Sequence, residues 1–394
     1  MLKGKTVVLG VTGSIAAYKI ANLARMLVKQ HCEVHVLMTQ NATNFINPIT
    51  FETLTKHKCL IDTFDRNFEF SVEHVALAKA ADVVMIAPAS ANVIGKIANG
   101  IADDMLTTTV MACPCKKIVS PAMNHNMFHN PIVQDNIEKL KHYGYEIVEP
   151  AHGMLANGDM GDGRMPDEEL LFEYIVKEIA FEKDMTGKKV LVTAGATVEA
   201  IDPVRFITNH SSGKMGFALA KNAMLRGADV TLVMGKCDSE PPVFVNTVKV
   251  QSAKDMYDAV IERADSMDII VKAAAVADYR PKNVSSEKVK KQDGNMSIEL
   301  ELTDDILKTL GERKNDQFIC GFSMETENML ENSRKKLEKK NCDMIVANNL
   351  KQDGAGFGGN TNIVTLITKD DEVQLEKMTK DEVAEKIFDF ILSR

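Results

Sequence analysis

The chain has 394 residues, long enough for two domains with separate hydrophobic cores. Hydrophobic residues make up 45% and charged residues 26%, a globular composition that excludes a fibrous or disordered chain. A formal charge of −8, with acids and bases interspersed, argues against bulk nucleic-acid binding, and no run approaches the ~20 apolar residues of a membrane helix.

Short apolar runs alternate with helical patterns. In the first half the runs are Thr6–Val11, Val34–Met38, Val83–Ala87, Ile118–Ser120 and Glu146–Val148. In the second half they are Val190–Thr193, Val230–Met234, Ile269–Val271, Phe318–Cys320, Met344–Val346 and Val364–Ile367. Near-continuous Val/Ile/Leu runs suit parallel strands covered by helices on both faces, so the fold class is α/β, two doubly wound domains with mainly parallel sheets. The chain starts twice: GKTVVLGVTGS (Gly4 to Ser14) and GKKVLVTAGAT (Gly187 to Thr197) share a Gly-Lys lead, a β-branched strand and a Gly/Thr loop. An amphipathic helix over Glu168 to Asp184 separates them, which sets a boundary near Phe181 to Thr186 and domains of residues 1–183 and 186–394. Seven cysteines without a framework read as reduced thiols, and the start MLKGKTVVLGVTG runs into a strand without a signal-peptide pattern, so a cytoplasmic protein is expected. Cys113-Pro-Cys115 lacks zinc-type spacing.

The run Thr193 to Gly216, TAGATVEAIDPVRFITNHSSGKMG, joins a strand, a Gly-bearing loop and a helix entry near Lys214. Free amides and the positive end of the helix dipole suit an anion there. Met215 stands where a Walker loop needs Ser or Thr, and the G-x-G-x-x-G spacing is absent. Gly195, Gly213 and Gly216 at element junctions favour phosphate binding over a plain surface loop. In the first half, Gly10-Val-Thr-Gly13-Ser14 ends a strand, and Thr39, Pro88-Ala-Ser90-Ala-Asn92 and Pro121-Ala-Met123-Asn124 follow other strand ends. Ligands of open parallel sheets bind outside the carboxyl ends of the strands, so these loops should converge on a mononucleotide. His125 and His129 have i,i+4 spacing, but no third ligand is in sight and the pair reads as non-metal.

These residues carry a family resemblance. VTGSIAAYK, SVEHVALA, APASANVIGKIANGIADDML and PAMNHNMF resemble the FMN-binding flavoprotein cysteine decarboxylases. The Thr193–Gly216 run, AAVADYRP, EKVKKQ and NNLKQDGAGFGGNTN resemble phosphopantothenate–cysteine ligases. Fused in this order and over nearly the whole chain, they resemble the bifunctional family of coenzyme A biosynthesis. The resemblance implies that Gly13, Ser14, Thr39, Ser90, Asn92 and Met123 contact FMN, that His74 is the catalytic base and that Asn124 binds the substrate carboxylate. Bound flavin takes a hydride from the cysteinyl moiety, leaving a β-thioketo acid that loses CO2 readily. Taken alone, a single helical histidine reads as packed or solvated; the surrounding motif gives His74 its role.

One position departs from the family pattern. Residues 153–165 read GMLANGDMGDGRM, where the family flap usually carries Ala-Cys-Gly and its Cys protonates the ene-thiol. Here that position is Asn157, and a carboxamide has no proton to give near neutral pH, unlike a thiol of pKa about 8.5. A variant blocked in the final reduction, a substitute proton donor, and a flavin domain that only binds are the three explanations. The otherwise intact flap and His74 favour the first.

For the second half the resemblance implies CTP-dependent ligation of cysteine to 4'-phosphopantothenate through an acyl-cytidylate, with Mg2+. It assigns the nucleotide to Ala274, Asp278, Lys288, Phe322, Lys336, Lys340 and the loop Asp304, Asp305, Ile306 and Leu307, and stabilisation of the intermediate to Asn209. Lys290 and Lys291, beside Lys288, read equally as a solvated charged loop, and no spacing here separates CTP from ATP. Asn360 stands where many relatives carry Asp. The family also implies trimers of the flavin domain and dimers of the ligase, together a dodecamer. The rival readings are a dinucleotide oxidoreductase, weakened by the missing fingerprint, and a ligase with a regulatory flavin-binding half.

Overall fold

A computed structural model describes residues 2–63, 73–154, 158–290, 296–325, 328–349 and 359–394. The sequence-stretch around Asn157, Lys291 and Gly358 falls outside the described residues. The chain divides into two compact units, Met1–Phe181 and Glu182–Arg394.

In the first unit the strands are β1 (Thr6–Val11), β2 (Glu33–Met38), β3 (Val83–Ala89), β4 (Lys116–Pro121) and β5 (Glu146–Ile147), with a hairpin of β6 (Ala151–Met154) and β7 (Met160–Arg164). The helices are α1 (Lys19–Lys29), α2 (Pro48–Thr55), α3 (Glu73–Ala80), α4 (Ala91–Ala98), α5 (Met105–Ala112), α6 (His125–Phe128), α7 (Pro131–His142) and α8 (Glu168–Ile179). The sheet order is β2-β1-β3-β4-β5, parallel throughout. All seven residues of β3 are buried, as a central strand covered on both faces requires. Val84, Ile86, Val93, Ile97, Leu106, Val110, Ile137 and Leu140 form the core under α4, α5 and α7. The other face carries α1, α2 and α8. Strand order reverses between β1 and β3, and a ligand crevice opens at such a switch point.

The second unit holds β8 (Lys189–Ala194), β9 (Val198–Ala200), β10 (Phe206–Thr208), β11 (Asp229–Met234), β12 (Asn246–Lys249), β13 (Ile269–Lys272), β14 (Tyr279–Pro281) and β15 (Leu300–Leu302). Then follow β16 (Phe318–Glu325), β17 (Met344–Asn349), β18 (Thr361–Asn362), β19 (Val364–Ile367), β20 (Glu372–Gln374) and β21 (Met378–Thr379). Its helices are α9 (Lys214–Leu225), α10 (Ala253–Ala264), α11 (Ile306–Arg313), α12 (Met329–Lys339) and α13 (Lys380–Leu392). The main sheet runs β12-β11-β8-β13-β16-β17-β19-β20. Its first six strands are parallel and in the order 3-2-1-4-5-6 of dinucleotide-binding folds, although the glycine fingerprint is missing. β19 and β20 add antiparallel. Met256, Val260, Ile306, Leu307, Leu310 and Leu337 pack α10, α11 and α12 on one face, while α9 and α13 pair on the other. Here the switch point lies between β8 and β13, bridged by Ala196 and Ala275.

Candidate functional site

In the first unit four loops leave the carboxyl ends of β1 to β4, and each begins a helical turn that it caps itself. Ser14 Oγ accepts from the Ala16 amide at 3.4 Å, Thr39 Oγ1 from Ala42 at 3.3 Å, Ser90 Oγ from Val93 at 3.4 Å and Asn124 Oδ1 from Asn126 at 2.9 Å. These residue types are preferred caps because their short side chains reach orphan amides. Buried Thr12 stitches the switch point: its Oγ1 donates to Pro88 O at 2.6 Å and accepts from the Ser90 amide at 2.9 Å.

A cleft of 490 Å³ opens beside these loops, lined by Ser14, Ala122, Met123 and Asn124 from the strand ends, and by Met154, Gly163, Arg164 and Met165 from the hairpin and its exit. Ile15 and Tyr18, 56% and 60% exposed, form its apolar rim, and Lys19 adds a cation. The hairpin is held to the strand-end loop by the Met123 amide, which donates to Gly163 O at 3.0 Å. Lys19 Nζ and Arg164 both reach Asp167, whose carboxyl is kept below its ordinary pKa by Lys19 first and then Arg164. Apolar walls for an aromatic ring system, next to a hydroxyl, amides and two cations for a phosphate, fit a flavin mononucleotide.

The structure thus brings Ser14, Met123 and Asn124 onto one cleft, with Gly13 adjoining Ser14. Thr39, Ser90 and Asn92 sit at neighbouring strand ends, outside that lining, and His74 lies half-buried on α3. Sequence reasoning missed Thr12, Lys19 and Arg164. Only the Gly-Arg-Met triplet of residues 163–165 hinted at the last.

In the second unit Gly213 precedes α9 as its N-cap residue, with φ +79 and no side-chain cap hydrogen bond. A side chain at Gly213 would be strained there and would meet Cys237 Sγ at 2.4 Å. Gly216 lets α9 press onto β8, since a Cβ would lie 2.5 Å from Ala194 Cβ and 2.8 Å from Thr193 O. This helix end, which has no side-chain cap, borders a cleft of 420 Å³ lined by Asn209, Ser211, Ser212, Gly213, Lys214, Lys272, Ala274, Asp278, Phe322, Lys336, Asn348 and Lys380. An adjoining cleft of 310 Å³ is lined by Leu302, Asp304, Asp305, Ile306, Leu307, Lys336 and Lys340. Lys272, Asp278 and Lys336 belong to both walls.

Lys272, at the end of β13, escaped the sequence reading. Its pKa is pulled down to about 8, by burial first and by the charge of Lys336 second, against Asp305 and Asp278. Lys340 pairs with Asp305. Burial opposes ionisation of Asp305, yet Lys340 and the Lys308 amide hold its pKa below the ordinary value. Asn348 is 3% exposed, and its Oδ1 finds no donor among the described residues. An orphan acceptor in a cleft wall is a position for a ligand N–H or O–H.

Lys288 is exposed and outside both linings, but its segment is anchored at Val289, whose amide donates to Asp202 Oδ2 at 3.2 Å and whose carbonyl accepts from Arg205 at 2.7 Å. Arg205 also pairs with buried Asp202 at 2.5 Å and, with the Val204, Arg205 and Val289 amides, holds that carboxyl far below the usual range. Among the described residues His125 and His129 do meet a third donor, Asp162, which the spacing of the pair gave no sign of.

Comparison with known proteins matches residues 1–180 to the Flavoprotein family and residues 185–394 to the "DNA/pantothenate metabolism flavoprotein C-terminal domain" family. The coenzyme A biosynthesis bifunctional protein CoaBC of Bacillus subtilis is 48% identical over 373 residues, covering 94% of this chain and 92% of that protein. The chain belongs to the bifunctional coenzyme A biosynthesis family. It is an enzyme pairing a ligase with a decarboxylase, and its first unit is a flavoprotein domain. A protein of an unknown prokaryote named cysteine/cysteine sulfinic acid decarboxylase is 43% identical over 355 residues, covering 88% of this chain and 99% of that protein. The solved C-terminal domain of a CoaBC protein is 48% identical, covering 52% of this chain and 95% of that chain, with a TM-score of 0.46. No described helix is long and apolar enough to cross a membrane.

Proposed function

We propose that the second unit joins cysteine to 4'-phosphopantothenate with CTP and Mg2+, through an acyl-cytidylate, and that the first unit decarboxylates the product with FMN. The observation that carries this reading is the match to a bifunctional relative over 94% of the chain. The clefts support it chemically. Amide formation from a carboxylate needs an activated acyl group, and its nucleotidyl transfer is helped by positioning and charge neutralisation. Lys272, Lys336 and Lys340 offer that charge, and the positive dipole end of α9, which has no side-chain cap, suits the substrate's own phosphate. Asp278 and Asp304 are carboxylates that suit Mg2+. Asn209, whose side-chain Nδ2 donates to Ala275 O at 3.2 Å, stands at the switch point and would stabilise the acyl intermediate.

In the first unit the Ser14 hydroxyl and the Lys19 ammonium would hold the FMN phosphate, with Met123, Met154 and Met165 against the ring. Asn124 would orient the substrate carboxylate. The family roles of His74, Thr39, Ser90 and Asn92 fit a cleft completed by a second copy, with exposed Ile15 and Tyr18 at the contact. Trimers of this unit and dimers of the other make a dodecamer, which light scattering tests. At the flap, Asn157 cannot supply the proton the ene-thiol needs, so CO2 is lost while product return stalls.

The test is pyrophosphate release by the full chain, expected only with CTP, Mg2+, 4'-phosphopantothenate and cysteine together; release without CTP contradicts the reading. Anaerobic single turnover of phosphopantothenoylcysteine tests the flavin half, with free cysteine as the competing substrate. Partial pantetheine phosphate, raised by Asn157→Cys, is expected; full yield from the native chain sinks the assigned block, and turnover of free cysteine alone would favour the second relative's activity.

A further inference from the structure

We infer that His125, His129 and Asp162 form a binding site for a divalent transition cation of the Zn2+ type, fastening the β6–β7 hairpin to α6. His125 opens α6 and His129 follows its end, one turn apart, so both rings project from the same side. Their centroids are 4.4 Å apart. Asp162 on β7 comes between them and His152 of β6: His129 Nε2 lies 2.9 Å from Asp162 Oδ2, and His152 Nδ1 lies 2.9 Å from Oδ1. Donor atoms of His125, His129 and Asp162 all lie within 4.8 Å of one another. The hairpin backbone closes on the same spot. The Asp162 amide donates to His125 Nδ1 at 3.1 Å, a hydrogen bond that coordination through this nitrogen would replace, and a Cβ on Gly161 would touch the same nitrogen at 2.8 Å.

Two imidazoles and one carboxylate, with water in the fourth position, make a donor set suited to tetrahedral zinc, and His152 holds the carboxylate from outside. Without a cation, Asp162 is shared between two histidines on an exposed surface, where such pairs contribute little. Coordination replaces those weak contacts, and movements of an ångström or so bring the donors to metal-ligand spacing. The His129 and Asp162 side chains are 49% and 37% exposed, so an ion reaches them from solvent. In a second cluster of three, Glu33, His35 and His57, the imidazoles stack face to face at 4.3 Å instead of converging. β7 also supplies Gly163 and Arg164 to the first cleft. A bound cation therefore stiffens one wall of that cleft. Its effect on decarboxylation rests on the function proposed above; its binding does not.

The experiment is calorimetric titration of Zn2+ into the untagged, metal-free full chain, with Co2+ absorption reporting the geometry. One ion per chain with tetrahedral Co2+ bands is expected, with affinity lowered at least about tenfold in H129A and in D162N and unchanged in H57A. Zn2+ should also raise the unfolding temperature of the native chain but not of D162N, whose metal-free stability should match the native one. No saturable binding, binding indifferent to both substitutions, or loss in H57A would overturn the site. With Zn2+ bound, CO2 release should slow while CTP-dependent pyrophosphate release holds. Zn2+ binding without that slowing would refute the stiffened wall, and absence of CO2 release even without Zn2+ would instead indict the decarboxylase reading.

Discussion

The two clefts occupy equivalent places, at the strand-order reversal of a parallel sheet, yet they present charge in opposite ways. In the first, helix starts are capped by their own Ser14, Thr39, Ser90 and Asn124, and the cations Lys19 and Arg164 share Asp167. In the second, α9 follows Gly213 with no side-chain cap, and Lys214, Lys272, Lys336 and Lys380 stand in the wall, with Lys340 next door. A chain with a net charge of −8 therefore concentrates positive potential in the second cleft, as the triphosphate proposed for it would require. A single phosphate monoester needs less, and hydroxyls with a few amides serve it.

The sharpest way to break this contrast is Gly216→Val. The added side chain overlaps Ala194 and the Thr193 carbonyl, so α9 must move off β8. CTP-dependent ligation should fall at least about 100-fold, the scale of an ångström misplacement, while flavin content stays unchanged. Equal loss of both in a ligation assay and a flavin absorbance spectrum would show that the clefts are not separate.

Lys272→Met comes next. Removing a cation hydrogen-bonded to phosphate costs about 1.5–3 kcal/mol, roughly ten- to 100-fold in CTP affinity by calorimetry. The lysine is charged below about 8, so native CTP affinity should drop as pH rises through about 8, and the variant should lose that limb. For stability the sign is reversed. The folded pKa is lower than the unfolded one, the unfolded chain binds the extra proton, and this group adds stability as pH rises from about 8 toward its ordinary value.

Arg205→Met sharpens the second unit's acid limit. Asp202 is depressed in the fold, so its contribution is present above the unfolded carboxylate pKa and is lost as pH falls below it. The variant should unfold at a higher pH in an acid titration followed by circular dichroism. An unchanged midpoint would remove Asp202 from the account. Ser14→Ala should have the smallest effect, losing a cap of about 1 kcal/mol and weakening FMN about fivefold by fluorescence titration.

Much of the scaffold was legible because buried parallel strands write themselves as apolar runs. Thr6–Val11 and Val364–Ile367 coincide with the observed strands, and Lys214 begins the observed helix. Direction was not legible: Val364–Ile367 is fully buried, and such a run looks the same whether its partner is parallel or not. The hairpins β6–β7, β9–β10 and β14–β15 were missed because their strands are short and partly polar, with no wholly buried face to impose a pattern. In the sites, motif residues such as Ser14, Asn124, Asn209 and Asp278 were found through local sequence. Thr12, Lys272 and Asn348 gain their meaning from partners 60 or more residues distant or from an empty hydrogen-bond position, which only the folded chain reveals.

The claim of two independent anion clefts is tested most directly by titrating FMN and Mg2+-CTP into one preparation of the flavin-free full chain. The account predicts one of each bound per chain without competition, with Ser14→Ala weakening FMN alone and Lys272→Met weakening CTP alone. Competition between the two ligands, or either substitution weakening both, would contradict it.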